Sequence, residues 1–276
     1  MDKLLTLACS TYGSRIESAL ALCRTLEASV LPKYVKLILV HQVASEPSSS
    51  AYKEEIEGLS KNDWFTYHSL ESLGLTKSRN IALEACKTQF VWIMDDDIDI
   101  FVDNVVSLIR QLPSLTDKAV ITTEGNWGLR RKKYPKNGAE LTDKNILRVA
   151  SCEMFINKKI LQETNVRFRE DMGVGGNEVI IGEEAVFLSD LKKKGFKHFH
   201  KSIATFSHPE ESTGSLVSTQ RVFSKGVVIK RCFSGVNKIR FLSRDCWRIM
   251  RNRDHEYGDF RKKIRLASAL IRGCLF

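Results

Sequence analysis

No run in this chain of 276 residues approaches the roughly 18 consecutive apolar residues needed to cross a bilayer. The seven cysteines (Cys9, Cys23, Cys86, Cys152, Cys232, Cys246 and Cys274) are odd in number and scattered, with no Cys-x-x-Cys spacing. That argues against both a disulfide framework and a zinc site, and reduced thiols in a cytoplasmic protein are the expectation. Met1-Asp2-Lys3 leads straight into Leu4 to Cys9, an apolar stretch too short for a signal-peptide core. Internal repeats and low-complexity segments are absent. A hydrophobic fraction of 43% fits a globular protein and not a disordered one. A glycine-rich phosphate loop is lacking too, because Ser10-Thr11-Tyr12-Gly13-Ser14-Arg15 holds a single glycine.

Charge, by contrast, is plentiful and unevenly placed. The net charge is +10, yet Thr219 to Phe276 alone carries fifteen Lys/Arg against four Asp/Glu, a balance of +11. The remaining 28 basic and 29 acidic residues nearly cancel, at −1. Such asymmetry points to an anionic partner for the C-terminal segment.

The first half alternates strand and helix signals. Leu4 to Cys9, Val35 to Val40, Trp64 to Tyr67 and Phe90 to Met94 read as strands. Between them, Arg15 to Ala28, Tyr52 to Leu59 and Ser78 to Cys86 carry apolar residues at helical spacing, and Ser45 to Ser50 is a polar connection. Alternation of this kind implies a largely parallel sheet with helices on both faces, which binds ligands beyond the carboxyl ends of its strands. The second half is less regular. Val102 to Leu112 is amphipathic, Ala119 to Thr123 is a strand, Glu124 to Asp143 a loop, and Leu147 to Ile156 strand-like. Glu183 to Lys194 reads as a helix with Gly195 as its cap, and His198 to Phe206 as a strand. After Gly214 the pattern changes to basic helices striped with apolar residues.

The most informative stretch is Asp95-Asp96-Asp97, directly after the buried-strand signature Phe90-Val91-Trp92-Ile93-Met94. Three carboxylates at a strand end repel one another and call for a cation. Alternation along a strand would put Asp95 and Asp97 on one side, and a hard divalent ion that arrives with substrate phosphates suits them. Downstream come Phe168-Arg169-Glu170-Asp171-Met172-Gly173-Val174-Gly175-Gly176, Gly182-Glu183-Glu184 and Ser207-His208-Pro209; upstream lie Tyr12 and Gly74-Leu75-Thr76-Lys77-Ser78-Arg79-Asn80. In this order and spacing, over roughly residues 4 to 215, the sequence resembles a GT-A glycosyltransferase of the family 2 type.

The resemblance implies a GT-A fold: a catalytic domain over 1–215, with a nucleotide-binding half (1–99) and an acceptor half (100–215), then a basic helical extension over 216–276. It implies a metal-dependent, inverting transfer from a nucleotide-diphosphate sugar, most commonly a UDP-sugar, to a glycan or lipid-linked acceptor, as in bacterial polysaccharide or lipopolysaccharide synthesis. Thr11 and Tyr12 would border the nucleobase, and an aromatic ring suits a base because stacking needs only π-faces. Gln42 stands where many members carry an aspartate, which leaves base identity open. Lys77 and Arg79 would lie beside the nucleotide at a helix N-terminus capped by Thr76, although Arg79 equally suits an ion pair bracing Asp95. Asp95 and Asp96 would contact the donor. Asp97, Asp95 and His208 would hold Mn²⁺ or Mg²⁺. Glu184 matches the catalytic base, beside Glu183, and the alternative for this pair is stabilisation of the helix dipole.

Two other readings address parts of the pattern. A sugar-nucleotide nucleotidyltransferase shares the layout and the need for metal but expects the missing phosphate loop. A nucleic-acid-binding protein accounts for the basic tail but not for the acidic motifs, so nucleic acid is a disfavoured partner. The tail, with segments such as Ile264-Arg265-Leu266-Ala267-Ser268-Ala269-Leu270-Ile271-Arg272, suits docking at the anionic inner face of a membrane, or simple packing on the catalytic domain.

Overall fold

The structure, a computed structural model, describes residues 3–43, 50–128, 132–176, 178–208, 217–252 and 254–276. The expected domain edge at 215–216 and most of the polar connection expected at 45–50 lie outside the described residues.

Four parallel strands form the first half of one sheet: β1 (Leu5–Tyr12), β2 (Val35–Gln42), β3 (Phe65–Leu70) and β4 (Phe90–Asp95). Buried on both faces, β1, β2 and β4 are nearly continuous apolar runs, as parallel strands covered by helices must be. The crossovers are α1 (Ile16–Glu27), α2 (Ser50–Leu59) and α3 (Leu75–Ala85). Helix α3 starts earlier than its periodicity predicts, with Gly74 and not Thr76 as N-cap. Thr76 is buried, and its hydroxyl donates to the Met172 carbonyl at 3.1 Å.

The second half is mixed. It contains β5 (Asp99–Ile100), α4 (Val102–Gln111), β6 (Val120–Asn126), α5 (Asp143–Ile146), β7 (Met154–Asn157), α6 (Lys158–Thr164), α7 (Glu183–Lys193) and β8 (His198–Ser207). The sheet order is β3-β2-β1-β4-β7-β6-β8-β5, with β7 antiparallel to both β4 and β6 and β8 parallel to β6. The strand expected over Leu147 to Ile156 is confined to the four residues of β7, because Ser151–Glu153 form a helical turn that points Ser151 at the acidic cluster. Helix α6 and the short edge strand β5 were not legible in the sequence. Gly195, at φ +89°, ends α7 as expected.

Among the described residues, three α-helices follow: α8 (Thr219–Cys232), α9 (Gly235–Arg251) and α10 (Phe260–Leu275). Helices α8 and α10 touch backbone to backbone. A Cβ on Gly226 would lie 2.0 Å from the Leu270 carbonyl oxygen, and one on Gly273 the same distance from that of Phe223. Helix α8 packs on α7, where the Ser189 hydroxyl donates to the Cys232 carbonyl at 3.2 Å and the Val228 side chain fills the space beside Gly182. Val227, Val228 and Ile229 belong to the same apolar core as Val186 and Phe187 of α7. The basic extension therefore packs on the rest of the molecule. All seven cysteines are free thiols. Among the described residues no helix is long and apolar enough to cross a membrane.

Candidate active site

Register decides what meets at the carboxyl edge of the sheet. Tyr12 lies opposite Gln42 and Ser10 opposite Asp95, so the ends of β1, β2 and β4 open side by side, where ligands of open α/β sheets bind. Strand β4 runs through Asp95, and Asp96 and Asp97 form the turn beyond it. Only Asp95 therefore belongs to the strand, and the turn sets the places of the other two side chains.

Asp96 points inward, with 4% of its side chain exposed, whereas Asp95 and Asp97 keep 32% and 28%. Asp96 accepts from the Thr11 hydroxyl at 2.6 Å and from Arg15 Nε at 3.1 Å and Nη2. Arg15 Nη2 also donates to Asp97 at 2.9 Å. These two carboxylates, Asp96 first, hold the Arg15 guanidinium even more firmly ionised than usual. Thr11 and Asp96 thus fasten the turn to β1, while Asp97 remains at the opening. On its other side Asp97 Oδ1 lies 3.4 Å from His208 Nε2, and the His208 ring stacks on Trp127 with centroids 5.2 Å apart. Asp95 accepts from the Ser151 hydroxyl at 3.3 Å.

A second cluster centres on Arg79 of α3, whose side chain is 2% exposed. Its Nη1 is 3.0 Å from Glu183 and 3.4 Å from Glu184, its Nη2 is 3.6 Å from Asp95, and its Nε has no hydrogen-bond partner among the described residues. Burial opposes the charge of this guanidinium, but Glu184, Glu183 and Asp95 outweigh that and keep it ionised. The two glutamates open α7, and Glu183 is the more deeply buried, at 6% against 16% for Glu184. Burial first, and then the neighbouring Glu183 charge, push Glu184 up to about 8, against the opposing pull of Arg79. A carboxylate made this basic and left partly open suits proton abstraction near neutral pH.

The other expected residues take different places. Tyr12 is 52% exposed at the end of β1, open for a ring to stack on it. Gln42 is buried and uses both ends of its amide internally, accepting from the Gly74 N–H at 2.6 Å and donating to the Ser78 hydroxyl at 3.3 Å. It shapes the wall of the cleft by fixing the start of α3. Lys77 sits in the first turn of that helix, half-buried. Sequence reasoning missed Arg15, His41, Trp127 and Ser151. His41 ties the β1 turn down, its Nε2 lying 3.1 Å from the Gly13 carbonyl oxygen and its Nδ1 3.1 Å from the Tyr67 hydroxyl. Arg15 had a signal, since the only cation in the segment that follows β1 was a natural partner for a triplet of aspartates. The others had none.

Among the described residues no three of His, Cys, Asp and Glu converge on one metal-sized space. Asp97 and His208 do face each other, and Asp97 is open to the cleft. Two protein donors fit Mg²⁺ or Mn²⁺, which commonly take few protein ligands and complete their shell with substrate phosphates and water.

No protein-family model matches this sequence, and comparison with curated proteins gives no match. Solved structures do resemble it. The chain is similar to S. aureus TarS 1–349 at 14% identity and a TM-score of 0.59, covering 99% of this chain and 72% of that one. With TarS 1–349 in complex with UDP the values are 16%, 0.62, 99% and 72%. With the UDP-GlcNAc complex they are 15%, 0.61, 99% and 73%. At such identity the likeness establishes the fold alone. The fold expected from the sequence, a sheet flanked by helices with a C-terminal helical extension, is the one observed, with the second half of the sheet mixed and not parallel.

Proposed function

We propose that this chain is a glycosyltransferase that moves a sugar from a UDP-linked donor to a hydroxyl group of a glycan or lipid-linked acceptor, with inversion and with Mn²⁺ or Mg²⁺ bound. The observation that carries the reading is the placing of Glu184. A partly open carboxylate of raised basicity shares one buried cation with Asp95, at the strand ends where Tyr12 and Asp97 also emerge. The similar TarS structures, which hold UDP and UDP-GlcNAc, support the donor class.

In this mechanism Tyr12 stacks on the base, and the turn fastened by Thr11, Asp96 and Arg15 presents Asp97 to the diphosphate. Asp97 and His208 would hold the metal, which supplies Lewis-acid stabilisation of the leaving diphosphate. Glu184 accepts the proton of the acceptor hydroxyl as its oxygen bonds to the anomeric carbon. The bond from that carbon to the diphosphate oxygen breaks, and its electron pair leaves with UDP. Attack from the face opposite the leaving group inverts the centre. Arg79 positions Glu184 and keeps Glu183 and Asp95 compatible with it. Calorimetric titration of UDP with Mn²⁺ tests the donor half: Asp97→Ala is expected to abolish the metal-dependent part of UDP binding, and unchanged affinity would overturn the assignment.

The extension adds a reading of location. Phe260, Ile264, Ile271 and Leu275 are exposed along one stripe of α10, opposite the buried face of Leu266, Ala269, Leu270 and Gly273. Arg261, Arg265 and Arg272 flank that stripe, an arrangement suited to an anionic bilayer surface.

A further inference from the structure

Helix α9 carries charge that the reading above does not use. Arg240, Arg244 and Arg248 recur every fourth residue, so they line one face at intervals of about 6 Å. They form one wall of a groove between α5, α7, α8 and α9. Beneath Gly182 the groove has a volume of about 530 Å³, and a neighbouring section of about 360 Å³ shares Lys144, Arg244 and Arg248 with it. Leu147, Val228 and Ile229 make an apolar floor.

The charge along this groove is one-sided. Lys144 and Arg148 face it from the α5 side and Lys225 from α8, which makes six cations with the three of α9. The two acids on its walls are already engaged, Asp143 with Lys192 at 2.6 Å and Asp245 with Arg244 at 2.8 Å. Lys144, Arg148, Lys225 and Arg240 have no carboxylate partner among the described residues. Like-charged walls around a concave space raise the local concentration of anions. The lining includes Ile181, Gly182 and Ala185, which flank Glu183 and Glu184 in the chain.

Resting on the glycosyltransferase reading, we propose that this groove holds the acceptor and that the acceptor is an anionic glycan. Its phosphate or carboxylate groups lie among the cations of α9, α5 and α8, its sugar faces lie on the apolar floor, and its terminal hydroxyl reaches Glu184. A glycan fits better than nucleic acid, because the one aromatic ring that lines this groove among the described residues, Phe241, is buried beneath the Arg244 guanidinium at 4.5 Å and offers no stacking platform. It fits better than a bilayer, because the cations line a concavity and not the exposed stripe of α10.

Calorimetry with three soluble probes of equal length tests this: hexagalacturonate for carboxylates, phosphorylated maltohexaose for phosphates, and uncharged maltohexaose. The comparison is between the full chain and Arg240→Gln/Arg248→Gln, a variant of two exposed side chains, with UDP titrated into both as the control for an intact donor site. At least one charged hexasaccharide is expected to bind the native chain, to weaken at ionic strength above about 0.3 M, and to lose tenfold or more in the variant, while UDP affinity is the same in both. Which charged probe binds distinguishes the two anionic groups. The groove assignment is overturned if maltohexaose binds as tightly as the charged probes, if neither charged probe binds, or if the variant binds undiminished. It also fails if a single-stranded oligonucleotide or an anionic vesicle displaces the glycan at lower concentration. UDP binding without charged-glycan binding sinks the groove alone; charged-glycan binding without UDP binding sinks the donor reading and leaves the groove standing.

Discussion

Replacing Arg79 by methionine removes one cation from the reach of three carboxylates. Methionine keeps the apolar stem and much of the volume, so the change isolates charge from packing. Glu183 at 3.0 Å, Glu184 at 3.4 Å and Asp95 at 3.6 Å would be left facing one another around a buried site. Stripping one partner from a buried ionic cluster typically costs about 3–5 kcal/mol. For a chain of this size that corresponds to a fall in Tm of roughly 6–20 °C. The loss should depend on pH with a definite sign. Glu184 is raised from its ordinary value to about 8 in the folded chain, so between those limits the folded state holds more protons than the unfolded one. Stability therefore falls as pH rises across that window and levels off above it. Without Arg79, which pulls Glu184 down, the window extends upward, so the deficit of Arg79→Met against the native chain is largest at alkaline pH and shrinks towards pH 5. Adding Glu183→Gln to the variant should recover part of the loss. Thermal unfolding followed from pH 5 to 9 reads all of this. An equal deficit at both ends of the range, or none at either, would refute the idea that Arg79 compensates these carboxylates.

Glu184→Gln keeps the shape of the side chain but cannot accept a proton, so sugar transfer should fall roughly 10²-fold or more while UDP affinity persists, with Glu183→Gln milder. In the native chain, turnover should rise with pH through about 8 as Glu184 loses its proton, and that limb should vanish in Glu184→Gln; a limb that persists assigns the base elsewhere. Gly226→Val forces a side chain to within 2.0 Å of backbone on α10 and should cost about 1–3 kcal/mol or more in urea unfolding, whereas Gly58→Ala meets open space and should be neutral or slightly stabilising. The full chain should float with anionic vesicles at low salt, and Phe260→Ser/Ile264→Ser/Leu275→Ser should not; equal flotation of the two would remove the α10 stripe from the argument.

The sequence by itself carried the parallel half of the sheet, because a buried strand is a short apolar run and its crossover helix repeats every three to four residues. It carried Asp95 to Asp97 at the end of β4 and Glu183-Glu184 at the start of α7, because carboxylates clustered beside glycine and apolar runs stand out locally. The concentration of positive charge after Thr219 was equally plain. The partners of those charges were not. Arg15 reaches Asp96 across 81 positions, and Arg79 reaches Glu183 across 104. Only the parallel register of β1 against β4, and the docking of α7 beside α3, bring those pairs together. The short strand β7 was obscured because its apolar neighbours turn instead of extending. Gln42 looked like a ligand donor, and only the position of Gly74 and Ser78 shows both ends of its amide engaged. The basic tail offered two apolar faces with no local sign of which would be covered. Close contact at Gly226 and Gly273, and Val228 lodged beside Gly182, decided that one face joins the core and left the other on the surface. Period and composition are local properties of a chain, whereas ion pairing and helix docking depend on which distant segments the sheet order makes neighbours.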